Sequence, residues 1–258
     1  MPTAIIRNYT GEAFVVAADG MAEGTTPTLS RRKIFKFGGN KWLAYAFAGR
    51  VAIGPEEGPE TWFDFRERIH EAVQALSPDR SQTLLQYATD LADHAHRALI
   101  ETCSTDQITF DDGAALRISL PLASVFISGY FKQIPSSVIV EFWRDNNQFA
   151  KPKISVDELI VGIPRRHGSY VIDAYLHQDH PPFSNERYLR PLETPLPHFS
   201  EALQRAVLDS RRYIEVCSSP EARALDDFCK TIGGKIHMAS VTPNDGFDWV
   251  PGFEPPNG

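Results

Sequence analysis

The sequence predicts an α+β fold, a four-layer αββα sandwich in which two sheets are enclosed by helices. Three observations carry this. Short apolar runs bounded by turn residues fill the first fifty positions, two runs with helical period follow between 61 and 101, and β-branched runs return from 123. Beyond residue 200 the helical period reappears, and a last β-rich run closes the chain near 242. The order strands, two helices, strands, helices, strand suits sheets whose inner faces meet while their outer faces are covered.

The first strand spans roughly Thr3 to Arg7. A turn at Gly11 leads into Ala13-Phe14-Val15-Val16-Ala17-Ala18, which ends on Asp19, and the two runs form a hairpin. A polar loop rich in Gly, Thr and Pro precedes Lys33-Ile34-Phe35-Lys36-Phe37. The apolar run Trp42 to Ala48 then ends on Gly49. A hydroxyl near the start, a carboxylate closing a buried strand and a lysine opening another are placed to converge on one sheet edge.

Phe65, Ile69, Ala72, Val73 and Leu76 recur at helical spacing until Ser77-Pro78 stops the run. A second helix is expected to open with Asp79 or Ser81 as cap and to continue through Leu84, Leu91 and Leu99 to about Glu101. Ala123 to Tyr130 reads as a strand, paired across Ile134-Pro135-Ser136 with a second strand from Ser137 to Trp143. Leu159-Ile160-Val161-Gly162 reads as a short buried run. Ser169 to His177 suits a helix or a strand. The segment 181 to 197 holds five prolines and reads as an inserted surface loop. Ser200 caps a helical run through Ile214, Glu221 to Lys230 gives another helix, and Gly233 to Thr242 is the closing strand. One domain over 1–250 is expected, with insertions near 54–60, 105–117 and 180–198. The Pro- and Gly-rich tail 251–258 is expected to be mobile.

Composition narrows the function. A hydrophobic share of 42% with 16 Phe indicates a globular chain, and no apolar run is long enough to span a bilayer. A net charge of -7 without a long basic run argues against a nucleic-acid partner. Cys103, Cys217 and Cys229 lack CxxC spacing, which favours free thiols over a disulfide framework or a zinc site. The start lacks the basic flank and apolar core of a secretion signal, so a cytoplasmic location is expected. His94 and His96 sit two apart on a helix and make a poor metal pair. His177 and His180, beside Pro181-Pro182, read as a solvated loop. Gly38-Gly39 and Gly233-Gly234 lack the spacing of a phosphate loop. No metal and no cofactor are expected.

The first stretch resembles the amino-terminal part of proteasome-type subunits, N-terminal nucleophile hydrolases. The residues that carry the resemblance are Thr3, then Asp19 sixteen positions later in Val16-Ala17-Ala18-Asp19, then Lys33-Ile34 after a loop, then Ala46-Phe47-Ala48-Gly49. The two helices near 61–101, the strand ending in Gly129-Tyr130 and the paired glycine before the closing strand follow the family's order.

The resemblance implies a threonine-type peptidase with Thr3 as nucleophile, Lys33 as electrostatic tuner and Asp19 as its partner. The backbone N–H of Gly49 would hold the oxyanion, and a peptide would bind as an added strand along Ala48-Gly49. Asp226, Asp227 and Thr231 stand near the place of the family's supporting acid and hydroxyl, with Thr231 preferred as support and Asp227 beside it. The implied partners are further copies of the chain in a ring and a peptide or unfolded-protein substrate. The chemistry needs Thr3 to become the first residue, whereas Pro2 stands where the family has glycine. Two alternatives therefore remain: a catalytically silent shell subunit, and an amidohydrolase acting on a small substrate.

Overall fold

The computed structural model describes residues 3–21, 32–38, 40–49, 52–53, 63–103, 121–145, 148–177, 183, 188, 190–192 and 195–256. In chain order these form β1 (Ile5–Tyr9), β2 (Phe14–Ala18), β3 (Ile34–Phe37), β4 (Asn40–Gly49), β5 (Ala52–Ile53), β6 (Phe63–Asp64), α1 (Phe65–Ala75) and α2 (Leu84–Thr102). There follow β7 (Ala123–Phe131), β8 (Ile134–Phe142), β9 (Arg144–Asp145), β10 (Gln148–Phe149), β11 (Lys153–Val156), β12 (Arg165–His167) and α3 (Tyr170–His177). The chain continues with α4 (Glu201–Cys217), α5 (Pro220–Leu225), β13 (His237–Thr242) and β14 (Gly246–Trp249).

Two five-stranded sheets dominate, one in the order β12-β1-β2-β13-β14 and the other β11-β8-β7-β4-β3. All of their pairings are antiparallel. Three apolar clusters explain how they stack. Alternate residues of β2 divide cleanly: Phe14, Val16 and Ala18 join Ile34, Ala46 and Ala48 of the facing sheet, while Val15 and Ala17 pack with Val207 and Ile214 of α4. On the far side Tyr45 and Phe47 of β4 pack with Ile69 of α1 and Leu91 of α2. The period of two along each strand thus builds helix, sheet, sheet and helix layers.

A buried polar tie crosses the space between the sheets. Arg7 of β1 lies over the Phe126 ring at 4.7 Å and donates to Ser137 of β8 at 3.0 Å and to Asp157, which also accepts from Ser137 at 2.8 Å. Burial lowers the Arg7 pKa, and the neighbouring Asp157 opposes that.

Several boundaries differ from the expectation, each for a local reason. The first helix starts at Phe65, because Asp64 accepts the N–H groups of Arg66 and Glu67 as its cap. Neither Asp79 nor Ser81 caps α2: Pro78–Arg80 forms a 3₁₀ turn, and Thr83 accepts from Gln86 N instead. The β7–β8 turn is Lys132-Gln133, both at positive φ (50° and 68°), so Ile134-Pro135-Ser136 belongs to β8. Pro135 is tolerated because β11 pairs only with Val138 to Glu141, leaving its nitrogen outside the ladder on that side.

Leu159 to Gly162 is no buried strand. Ile160 and Val161 are exposed, and Gly162 N donates to Tyr9 O across a loop. In the segment 169–177, Tyr170–His177 is a helix and Ser169 precedes it. The expected helix 221–230 is split into α5 and a 3₁₀ turn, Asp227–Thr231, and the closing strand begins at His237 instead of Gly233.

Within 181–197 the described Phe183, Tyr188 and Leu196 are buried against α4, so these positions are core and not surface loop. The expected insertions at 54–60 and 105–117, and about half of 180–198, lie outside the described residues. The tail is tied down as far as Phe253, whose carbonyl accepts from Met238 N at 3.1 Å.

Candidate active site

The site is assembled from strand ends. Thr3 leads into β1 and Asp19 follows β2, and Asp19 N donates to Ala4 O at 3.2 Å as the hairpin's last rung. Lys33 precedes β3, and its carbonyl accepts from Phe47 N at 3.1 Å, which anchors the lysine to β4 two residues short of Gly49.

From these anchors the three side chains meet. Lys33 Nζ lies 2.9 Å from Asp19 Oδ1 and 3.3 Å from Thr3 Oγ1. Asp19 is 0% exposed, Thr3 3% and Lys33 8%. The Asp19 carboxylate also accepts from Ala4 N at 3.0 Å, Met21 N at 3.2 Å and Gly233 N at 3.3 Å. Burial raises the Asp19 pKa, opposed by Lys33 and by the N–H groups of Gly233 and Ala4. Every partner is a donor, the environment an ionised carboxylate requires. Asp19 therefore holds the lysine, and the lysine presents an N–H to the threonine hydroxyl.

Ala48 is buried between the sheets, and Gly49 ends β4 at φ 88°. A Cβ at Gly49 would stand 2.7 Å from Leu122 O, so the chain needs glycine there. The expected supporting residues fare differently. Asp227 points to solvent, 88% exposed, and pairs with Lys230 at 2.7 Å, so it is not part of the site. Thr231 has a buried Oγ1 with no hydrogen-bond partner among the described residues, the triad included.

Asp226, the neighbour of Asp227, pairs with Ser169 instead. Ser169 Oγ donates to Asp226 Oδ2 and accepts Ile172 N at 3.0 Å, which caps α3. The preceding Gly168, at φ 145°, sits against Thr3: a Cβ there would lie 3.6 Å from Thr3 O, 3.5 Å from Ala4 Cα and 2.7 Å from the Tyr213 hydroxyl. Gly168 is thus a contact glycine that brings the start of α3 to the nucleophile candidate. The sequence signal for Ser169 was its position at a helix start. Nothing in its spacing linked it to Asp226, 57 positions away.

Two thiols and an imidazole complete the surroundings. Cys217 and Cys229 are both buried, in the apolar cluster beneath α4. His237 is 0% exposed, opposite Ala18 in the ladder, and neither ring nitrogen has a hydrogen-bond partner among the described residues. Burial, Lys235, Lys33 and Arg32 bring its pKa down to about 4, so it is neutral at pH 7. Among the described residues no group of three His, Cys, Asp or Glu side chains is placed to hold a metal ion. No helix among them is long and apolar enough to cross a membrane.

No protein-family model matches the chain, and no curated protein matches its sequence.

Proposed function

We propose that this chain is an N-terminal threonine hydrolase of the proteasome-like type, cleaving peptide bonds within an assembly of its own copies. The observation that carries the reading is the buried contact of Lys33 Nζ with both Thr3 Oγ1 and Asp19 Oδ1. A hydroxyl is a weak nucleophile, and an amine within reach activates it by taking its proton. Once the peptide bond before Thr3 is cut, the freed α-amine of Thr3 is that base. Its proximity to the Lys33 ammonium disfavours the charged form of the amine, which leaves it able to accept a proton.

The sequence of events follows from these roles. Thr3 Oγ attacks the scissile carbonyl as its proton passes to the amine, and the oxyanion is held by the Gly49 N–H. The amine returns the proton to the leaving nitrogen, and water then hydrolyses the ester on Thr3. Asp19 touches neither reacting atom; it orients Lys33. Ser169 and Asp226 support the segment against which Thr3 lies.

A second reading, a silent shell subunit, is favoured by Pro2 ahead of Thr3. Turnover of fluorogenic peptides by the purified chain separates the two. The hydrolase reading expects turnover that Thr3→Ala abolishes and that Thr3→Ser partly keeps; a rate unaltered by Thr3→Ala overturns it.

A further inference from the structure

Two chambers of about 430 and 290 Å³ meet beside the carboxyl end of α4 and share Arg190, Glu215 and Ile236 as common walls. Together they have the size of an ordinary small-molecule pocket. The smaller is cationic: Arg190, Arg211 and Lys235 stand with one carboxylate, Glu215, beside Pro251 and Phe253. The larger is more apolar, with Tyr188, Pro220 and Ile236 among its walls. We propose that this cleft binds a small organic carboxylate with an apolar body, its head between Arg190 and Lys235 and its body against Tyr188, Pro220 and Ile236. The site stands without the hydrolase reading; only its effect on Asp19 rests on that reading.

The cations keep donors for a ligand. Glu215 accepts from Arg190 Nη2 at 2.8 Å, which aims the guanidinium and leaves Nε and Nη1 to donate. Arg190 also rides on a held backbone, because Arg211 of α4, 4% exposed, donates to Pro191 O at 3.0 Å and to Arg190 O. Lys235 Nζ gives one hydrogen to Glu254 O at 2.5 Å and keeps two.

The charge count selects the head group. Glu254 turns its carboxylate to Gly252 N, at 2.9 Å, so its charge stands beside the smaller chamber. Three cations then face two acids, a net of one positive charge in a chain whose total is -7. A monoanion neutralises it, and the two oxygens of a carboxylate match the fork of a guanidinium.

One short segment joins the cleft to the triad. Gly234, Lys235 and Ile236 form its wall, and the residue before them, Gly233, donates to Asp19 Oδ2 at 3.3 Å and accepts from Met21 N at 2.8 Å. A ligand that pins Lys235 and Ile236 therefore restrains a group that holds Asp19, and through it Lys33.

The test titrates the full chain with N-acetylphenylalanine, with its amide and with inorganic phosphate, by calorimetry. The proposal expects one acid bound per chain. Binding should be about tenfold weaker for the amide, for Arg190→Gln and for Lys235→Gln, the loss of one charged hydrogen bond each. Both side chains are exposed, so each variant should keep the wild-type urea midpoint, and either one alone decides the outcome. Hydrogen exchange of the peptide spanning 233–238 should slow about fivefold with the acid bound. Every peptide ends in the same carboxylate, so a hexapeptide ending in phenylalanine is a further probe. Tighter binding than the acid assigns the cleft to peptide ends, and equal or weaker binding assigns it to free small acids. No binding at millimolar acid, equal binding of acid and amide, an affinity unchanged in either variant, or phosphate bound as tightly as the acid overturns the site. Exchange at 233–238 unaltered by bound acid overturns its coupling to Asp19. An absence of peptide turnover counts against the hydrolase reading alone, since binding and exchange are read without it.

Discussion

Lys33 Nζ stands 2.9 Å from Asp19 Oδ1 in a space from which solvent is excluded, and three backbone N–H groups complete the carboxylate's shell. A buried ion pair of this kind adds little net stability when intact, yet removing one member strands the other's charge.

Lys33→Ala should therefore destabilise the fold by about 3–5 kcal/mol, read as a lower urea midpoint with an unchanged slope. Lys33→Met combined with Asp19→Asn should recover much of the loss, because neither side chain then carries a charge. Equal losses in the single and double variants would mean that the charges are not stranded, and the ion-pair account would fail.

The pH dependence of stability falls on two histidines. Burial holds His237 and His167 at about 4, against 6.5 in the unfolded chain, with cationic neighbours adding to the effect. Between these values the unfolded chain binds more protons than the folded one, so stability is full above pH 6.5 and is lost as the pH falls towards 4. The fully buried His237 contributes up to roughly 3 kcal/mol to that loss. His237→Gln should flatten the slope of unfolding free energy between pH 6.5 and 4; a slope identical to that of the wild type would contradict the assignment.

Gly49 adopts φ 88°, and a Cβ there would collide with Leu122 O at 2.7 Å. Gly49→Ala should cost about 1–3 kcal/mol in thermal or urea unfolding, and should reduce any threonine-directed labelling by displacing the N–H assigned to the oxyanion. Full stability in this variant would show that the end of β4 relaxes freely.

The triad was legible because each member closes or opens a strand whose own signal is strong: β1 and β2 flank Gly11, and Lys33 abuts the alternating run of β3. Ser169 and Asp226 were not legible as a pair, since their contact depends on Gly168 approaching Thr3 closely, and close approach leaves no local pattern. Asp226 and Asp227 are adjacent yet face apart: Asp226 caps the 3₁₀ turn and turns inward to Ser169, while Asp227, the first residue of the turn, reaches solvent. The β7–β8 turn was misplaced because Lys132 and Gln133 take positive φ without glycine or asparagine to announce it. The run 159–162 shows that apolar residues alone do not make a strand: Ile160 and Val161 are exposed, and among the described residues the run joins no sheet.

The central claim is that the Thr3 hydroxyl reacts and that its own amine is free to assist. Intact-mass analysis of the purified chain, before and after incubation with a peptide epoxyketone that requires both groups, tests it most directly. The account predicts a chain beginning at Thr3 that gains one adduct, with none in Thr3→Ala and a slowed gain in Lys33→Ala. A chain that still carries Pro2 and stays unmodified would contradict it.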